Sequence, residues 1–239
     1  MVEVDLIKKH GKKALGMTEQ HGGSWKHRAG EILLEIAIIV FAILLSMWLH
    51  DRHEQSVDRE TERKFLVGLR ADLTNDLKEL RSDSLSYCHM QRGYRFFRTL
   101  TPQTLNPDSV KKYQWTLGNT VNLVPNNSRF EGLKSSGKLG VIEDEQLLNS
   151  ILENYQELIP GLLDATRGFT QNKEQKLSSY LEDNLDRSSD NFLTLMTSFR
   201  MRNYLDKDVA IDEIVQRYHH VMENNRGIIR RIDQVLADK

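Results

Sequence analysis

Hydrophobic positions divide the chain into one continuous apolar run and, after it, a series of periodic stripes. The run covers Ile32 to Leu49, where 16 of 18 residues are apolar and the exceptions are Glu35 and Ser46. As a helix it would rise about 27 Å, close to the thickness of the hydrocarbon core of a bilayer. A buried helix of a soluble protein normally carries a polar face, and this run carries none. The pattern predicts one transmembrane helix, at residues 30–49.

The residues that flank the run indicate an uncleaved anchor of the inner membrane. Trp25 and Trp48 stand where indole rings prefer the membrane interface. No small-residue cleavage site follows the run, which argues against a removed signal peptide. Basic residues lie on both sides, but the basic N-terminal tail of residues 1–29 is short, and its charges are easier to hold in the cytoplasm than to export. We therefore expect the larger C-terminal part to be periplasmic.

Charged residues dominate the stretch immediately after the run. Residues 50–64 alternate in sign and contain a single aliphatic residue, Val57. Such alternation is typical of a solvated helix supported by ion pairs four residues apart. Residues 31–101 contain no proline, and only Gly68 and Gly93 interrupt them. One helix is therefore predicted to run from the membrane segment through this stalk into the next region.

Apolar residues at spacings of three and four positions continue beyond the stalk and predict amphipathic helices. The residues that carry this periodicity are Leu66, Leu69, Leu73, Leu77 and Leu80; Leu147, Ile151, Tyr155, Leu158 and Leu162; and Ile211, Ile214, Tyr218, Val221, Ile228 or Ile229, Ile232 and Val235. Pro160 falls inside the second stripe, where a kink or break is expected. No segment alternates with a period of two, so we predict an all-α fold in which residues 65–239 form an antiparallel helical bundle.

Shorter elements are predicted between the long helices. Residues 101–109 indicate a loop, with Asp108 or Ser109 capping a short helix behind it. Residues 118–128 are predicted to be irregular. Residues 130–136 indicate another short helix, which ends at Gly137.

Composition and charge exclude several classes of protein. The formal net charge of −1 gives no signature of nucleic-acid binding. Cys88 is the only cysteine, so neither an internal disulfide nor a multi-cysteine zinc site is possible. We interpret it as a core thiol.

Three short clusters suggest chemistry but lack its full pattern. Gly132 to Lys138 matches the first seven positions of a phosphate-binding loop, yet Leu139 occupies the eighth, and no strand is predicted before it. We interpret it as a helix end followed by a glycine turn. His50 with His53, and His219 with Glu223, each offer two metal ligands without a third at a recognisable spacing. These histidines are interpreted as surface residues.

Two stretches of the chain together resemble a bacterial family of small single-span membrane proteins. One is Gly30-Glu31-Ile32-Leu33-Leu34 with the apolar residues up to Trp48. The other is Phe130-Glu131-Gly132-Leu133-Lys134-Ser135-Ser136-Gly137-Lys138-Leu139, which matches the family's F-x-x-L-K-S-S-G-x-L signature. The family is uncharacterised, so the resemblance implies a single-span topology and a helical domain and carries over no activity, substrate or cofactor. Glu35 stands where the resemblance leads us to expect an aliphatic residue.

Two acidic residues and one polar segment are the candidate interaction sites. Glu31 and Glu35 are four positions apart and share a helix face. Either a carboxylate joins partner helices or relays protons, or both side chains reach back to the interface. The polar segment consists of Lys134, Ser135, Ser136, Gly137 and Lys138, and irregular structure between long helices favours it as a contact surface.

These sequence features lead to three hypotheses of function. The leading hypothesis is a membrane-anchored interaction or scaffold module, an accessory subunit of a cell-envelope complex. Its partners would be the bilayer and another protein or a second copy, with no cofactor, metal or nucleic acid. The second is a ligand-sensing bundle that signals through a partner. The third is an envelope hydrolase, which would require clustered acid, base or metal ligands that the sequence does not display.

Overall fold

A computed structural model of the chain describes residues 25–186 and 191–238. These residues are almost entirely helical and contain no strand, which confirms the all-α prediction for them. Most of the basic tail predicted at 1–29 lies outside the described residues. The side chain of Glu31 lies outside them as well.

In chain order the α-helices are α1 (Trp25–Arg98), α2 (Pro107–Tyr113), α3 (Trp115–Gly118), α4 (Ser128–Ser135), α5 (Glu145–Glu153), α6 (Ile159–Asn172), α7 (Ser179–Asn184), α8 (Phe192–Thr197), α9 (Phe199–Leu205) and α10 (Asp208–Ala237). A 3₁₀ turn covers Leu139–Val141. Two π-helical turns, Asn154–Leu158 and Lys173–Ser178, connect α5, α6 and α7 into one helical stretch at 145–184.

The chain divides between Val57 and Asp58 into two compact units. The described part of the first unit is the N-terminal portion of α1, whose side chains from Ile32 to Leu49 are all exposed. Its large apolar side chains are 42–66% exposed, and none contributes to a core. The helix is long and apolar enough to cross a membrane.

The second unit is a bundle in which α10 runs antiparallel to α1. Four polar pairs join the two helices, and the residue numbers rise along α1 while they fall along α10. The apolar stripes of the two helices therefore face each other. The pairs are Arg70 with Asp233, Asp83 with Tyr218, Gln91 with Asp212 and Arg95 with Asp208. The sequence left Ile228 and Ile229 as alternatives in the stripe of α10. Ile228 is fully buried, and Ile229 is only partly buried.

The 145–184 stretch also runs antiparallel to α10. Asp144 caps α5 by accepting hydrogen bonds from the backbone N–H groups of Gln146 and Leu147, each at 3.1 Å. The Nε of Arg231 on α10 donates to the same carboxylate at 2.5 Å. The Arg231 guanidinium lowers the pKa of Asp144, so this contact joins the two helices in the ionised state.

Pro160 disturbs the helix at the turn that precedes it. It lies in the first turn of α6, directly after the π-helical turn Asn154–Leu158. Proline has no N–H to donate to the carbonyl four residues earlier, and its ring clashes with that carbonyl in a regular α-helix. The wider turn relieves this conflict, so the expected irregularity is present while the helical stretch stays continuous.

The sequence prediction for the cap of α2 is wrong. Asn106 is the cap, and its side chain accepts hydrogen bonds from the N–H groups of Asp108 at 2.9 Å and Ser109 at 3.3 Å. Pro107 needs no hydrogen-bond acceptor and is favoured at the first helical position, so the capping residue must precede it. The helix ends at Tyr113, and the separate short helix α3 follows it at Trp115–Gly118.

Glu62 is another departure from the sequence prediction, which placed it in a solvated stalk. It is 1% exposed, and its carboxylate accepts a hydrogen bond from the backbone N–H of Glu143 at 3.1 Å. Arg59, one turn earlier, lies 3.8 Å from the Glu143 carboxylate. The charged stretch thus enters the bundle before residue 65, because a polar side chain can be buried where a backbone donor meets it.

Residues 119–127, which we call the return segment, are irregular as predicted and carry the chain back along α1. Gly68 and Gly93 are the two glycines of α1 within the second unit, and they lie near the two ends of the return segment. A Cβ atom added at Gly93 would lie 2.4 Å from Oγ1 of the fully buried Thr116, just before the segment. One added at Gly68 would lie 2.2 Å from Cζ of Arg129, just after it.

We predict that Gly93→Ala destabilises the protein and that Gly68→Ala does not. Thr116 is buried and cannot yield, so overpacking at Gly93 should lower the free energy of unfolding by about 1–3 kcal/mol. At Gly68 the obstacle is the far end of a flexible arginine, and alanine adds about 1 kcal/mol of helix propensity. Denaturant titration of the full chain in detergent, followed by circular dichroism, measures both. Equal losses in the two variants would contradict the close approach at Gly93.

Candidate functional site

The return segment is held inside the bundle by polar side chains of the neighbouring helices. It has no helix or strand of its own, so its buried backbone groups must find partners elsewhere. Side chains of α1 and of the 145–184 stretch supply these partners. They are Asp76, Glu79 and Tyr87 from α1, and Tyr155 and Lys173 from the other side.

On the α1 side the contacts are hydrogen bonds to backbone groups of the segment. The N–H of Val124 donates to Oε1 of Glu79 at 3.0 Å. Asn126 donates to Oδ1 of Asp76 twice, from its backbone N–H at 3.1 Å and from its side-chain Nδ2 at 2.5 Å. The Tyr87 hydroxyl donates to the carbonyl of Val121 at 3.4 Å. These bonds hold the segment in one register along α1.

The acidic side chains of α1 at this contact form a line that sequence reasoning missed. Asp72, Asp76, Glu79 and Asp83 are spaced by four, three and four residues, which places them on one helix face. The sequence contains this pattern, because the acidic residues repeat at the same intervals of three and four positions as the leucine stripe. Asp72 is paired with Arg129, whose Nε donates at 2.7 Å.

Burial makes two of these carboxyls weaker acids. Desolvation raises the pKa of Asp76, and its hydrogen bonds from Asn126 oppose that effect. Desolvation also raises the pKa of Asp83 from 3.8 to about 6, and the charge of Glu79 adds to the shift. The Tyr218 hydroxyl lies 3.4 Å from Asp83 as its hydrogen-bond donor. The contact between α1 and α10 therefore contains a carboxyl whose pKa lies in the mildly acidic range.

On the opposite side, the segment and the turn before it are held by a buried lysine. The ammonium of Lys173 donates to the carbonyl of Thr116 at 2.9 Å and to that of Asn119. Its side chain is inaccessible, with 4% of the residue exposed. Burial lowers its pKa to about 8.

The polar segment predicted as a contact surface is a helix end. Gly137 has a φ of 71°, a left-handed conformation that glycine adopts without strain. Its N–H donates to the carbonyl of Lys134 at 3.1 Å, and the N–H of Lys138 donates to that of Leu133 at 3.2 Å. These two bonds define a Schellman cap. This geometry agrees with the glycine-turn interpretation and leaves the phosphate-loop alternative without support.

The side chains of this segment are exposed but partly committed to the helix. The Ser135 hydroxyl donates to the carbonyl of Glu131 at 2.5 Å, and the Ser136 hydroxyl donates to that of Leu133 at 2.8 Å. The Lys134 ammonium lies 5.7 Å from the ring centroid of Phe130. The Lys138 side chain is exposed. The segment presents two lysines on a rigid turn.

The remaining candidates do not converge on a site. His50 and His53 are exposed on α1. His219 and Glu223 line a shallow groove of about 370 Å³. Cys88 is half-buried, so the core-thiol interpretation is only partly right. No group of three metal-ligating side chains occurs among residues 25–186 and 191–238.

Comparison of the chain with known protein families, curated proteins and solved structures gives no match. The resemblance to the single-span bacterial family therefore stays a prediction. The structure gives its signature motif a local explanation. Phe130 and Leu133 are buried, Leu139 packs against the core, and Gly137 ends the helix.

We predict that Asp83→Asn stabilises the protein at neutral pH. The pKa of this carboxyl is about 6 in the native state, above its ordinary 3.8, so the native state binds the proton more tightly. Stability then falls as the pH rises from about 4 to about 6. The variant should gain about 1 kcal/mol at pH 7, a value reduced for partial solvent screening, and nothing at pH 4.

Denaturant titrations at several pH values measure this difference. Asp183→Asn, at an exposed carboxylate, is the matched control and should leave the pH dependence unchanged. A constant difference between wild type and Asp83→Asn from pH 4 to pH 7 would show that ionisation of Asp83 is not the cause.

Proposed function

We propose that the protein is a membrane-anchored helical interaction module, a scaffold or accessory subunit of a bacterial cell-envelope complex. The observation that carries the proposal is the exposure of every side chain from Ile32 to Leu49. An apolar surface that surrounds a helix completely is unstable in water and is matched by lipid. The helix crosses the inner membrane, with its N-terminus in the cytoplasm and the bundle in the periplasm.

Glu35 supports a partner inside the bilayer. Glu35 lies one turn into the apolar run, and its side chain is exposed. A carboxylate in the hydrocarbon region costs about 2.5–3.5 kcal/mol at the centre of a span, and less near the interface. Ala42 and Ser46 follow on the same helix face, where small side chains allow a second helix to approach. A polar group on a partner helix, or on a second copy, would satisfy Glu35.

The second unit supports binding of a protein rather than sensing of a small molecule. Its apolar side chains form a continuous buried cluster along α1, the 145–184 stretch and α10. The described grooves of about 480 and 370 Å³ are shallow and lie on the surface. The exposed turn that carries Lys134 and Lys138 offers a rigid, charged contact surface on this unit.

Cysteine labelling in intact cells tests the topology. In a Cys88→Ser background, a cysteine at the exposed position Glu182 should react with a membrane-impermeant maleimide without lysis. A cysteine at Lys8 should react only after lysis, because we place the tail in the cytoplasm. The opposite pattern would reverse the orientation, and reaction of both positions only after lysis would contradict a spanning helix.

Crosslinking in native membranes tests the role of Glu35. Wild-type protein should form a defined adduct with a partner or with itself, and Glu35→Leu should reduce its yield by about fivefold, as expected for the loss of one interhelical hydrogen bond. Glu54→Leu, the same change outside the span, is the control and should form the adduct normally. Wild-type protein that stays monomeric contradicts the interaction module. A full yield in Glu35→Leu instead indicates that Glu35 reaches the interface.

A further inference from the structure

A small, partly open cavity lies in the second unit beside the π-helical turn Lys173–Ser178. This turn packs against α3 and α9. Its volume is about 10 Å³, which is enough for one particle of the size of a water molecule. The side chains that line it include Tyr94, Phe169, Lys173, Lys176, Tyr204 and Lys207.

Three positive charges meet at this cavity without a negative one. None of Lys173, Lys176 and Lys207 forms an ion pair with a carboxylate among the described residues. Lys173 is the buried member, and its bonds to the carbonyls of Thr116 and Asn119 use two of its three N–H groups. The charge of the neighbouring Glu174 acts on Lys173, but Glu174 neither lines the cavity nor forms an ion pair with it among the described residues. A buried ammonium is unfavourable unless an acceptor or an anion completes its shell.

A second buried donor faces the same problem independently. Tyr94, on α1, is 1% exposed, and its hydroxyl has no hydrogen-bond partner among the described residues. A buried hydroxyl without a partner costs about 1–3 kcal/mol. Tyr94 and Lys173 both line the cavity, so a single acceptor placed there would serve both.

We propose that this cavity is a binding site for one small monatomic anion of the chloride type. The hydroxyl and the ammonium groups around it are donors, and ammonium groups accept no hydrogen bond, so the set selects a negatively charged acceptor. A space of about 10 Å³ between these side chains suits a monatomic ion better than phosphate or sulfate. The anion neutralises Lys173 and connects α1, the π-helical turn and Lys207, the residue before α10, at the point where the chain turns back along α1.

Thermal unfolding of the full chain in detergent tests the site directly. Sodium chloride is exchanged for sodium gluconate at constant ionic strength, so that general screening stays equal while the small anion is removed. The melting temperature should be about 2–4 °C higher in chloride, as expected for a ligand at several times its Kd. Bromide should replace chloride.

Variants separate the site from other charged surfaces. Tyr94→Phe removes only the unpartnered hydroxyl, and Lys176→Gln removes an exposed charge at the rim, so each should fold and lose most of the chloride effect. Tyr87→Phe is the matched control, because its hydroxyl bonds to Val121 outside the cavity, and it should keep the full effect. An equal melting temperature in the two salts, as for a cavity that holds only water, would overturn the proposal. A chloride effect that persists in both cavity variants would overturn it as well.

Discussion

The bundle depends on one constraint, the need to satisfy the backbone of a segment that has no secondary structure of its own. Residues 119–127 pass between α1 and the 145–184 stretch, with Val121 and Leu123 buried. Their amides and carbonyls are met by acidic and tyrosine side chains of α1 on one side and by Lys173 and Tyr155 on the other. Because each bond fixes a particular pair of positions, the segment sets the register of the long helices around it.

This constraint explains features that would otherwise look functional. A line of carboxylates on a helix and a buried lysine are typical of active sites, yet most of these groups hold backbone here. The conspicuous K-S-S-G-K turn is likewise a helix cap, and its serines bond back to their own helix. Two of the polar groups that lack a partner among the described residues are the carboxylate in the apolar run and the Tyr94 hydroxyl at the small cavity. For this reason the functional proposals rest on those two places.

Much of the fold follows from short-range patterns in the sequence. The apolar run, the leucine stripe of α1, the cap at Asp144 and the glycine stop at Gly137 each depend on residues within a few turns of one another. Apart from the cap of α2, which is a local error, the errors arose where partners are distant in sequence. Glu62 was expected in solvent because its donor, the N–H of Glu143, lies 81 positions away. The acidic line was overlooked because its purpose depends on residues 124–129, which show no periodicity.

The sequence by itself determined the helical class, the exposed apolar helix at Ile32 to Leu49 and the residues that line the core. These depend on hydrophobic period and on local capping, which neighbouring residues fix. The tertiary structure decided that the chain returns along α1 before the 145–184 stretch begins, and that Gly68 and Gly93 make room for that return. It also decided which polar groups are buried and which of them lack partners. Burial and pairing are properties of surfaces brought together from distant positions, and no local pattern encodes them.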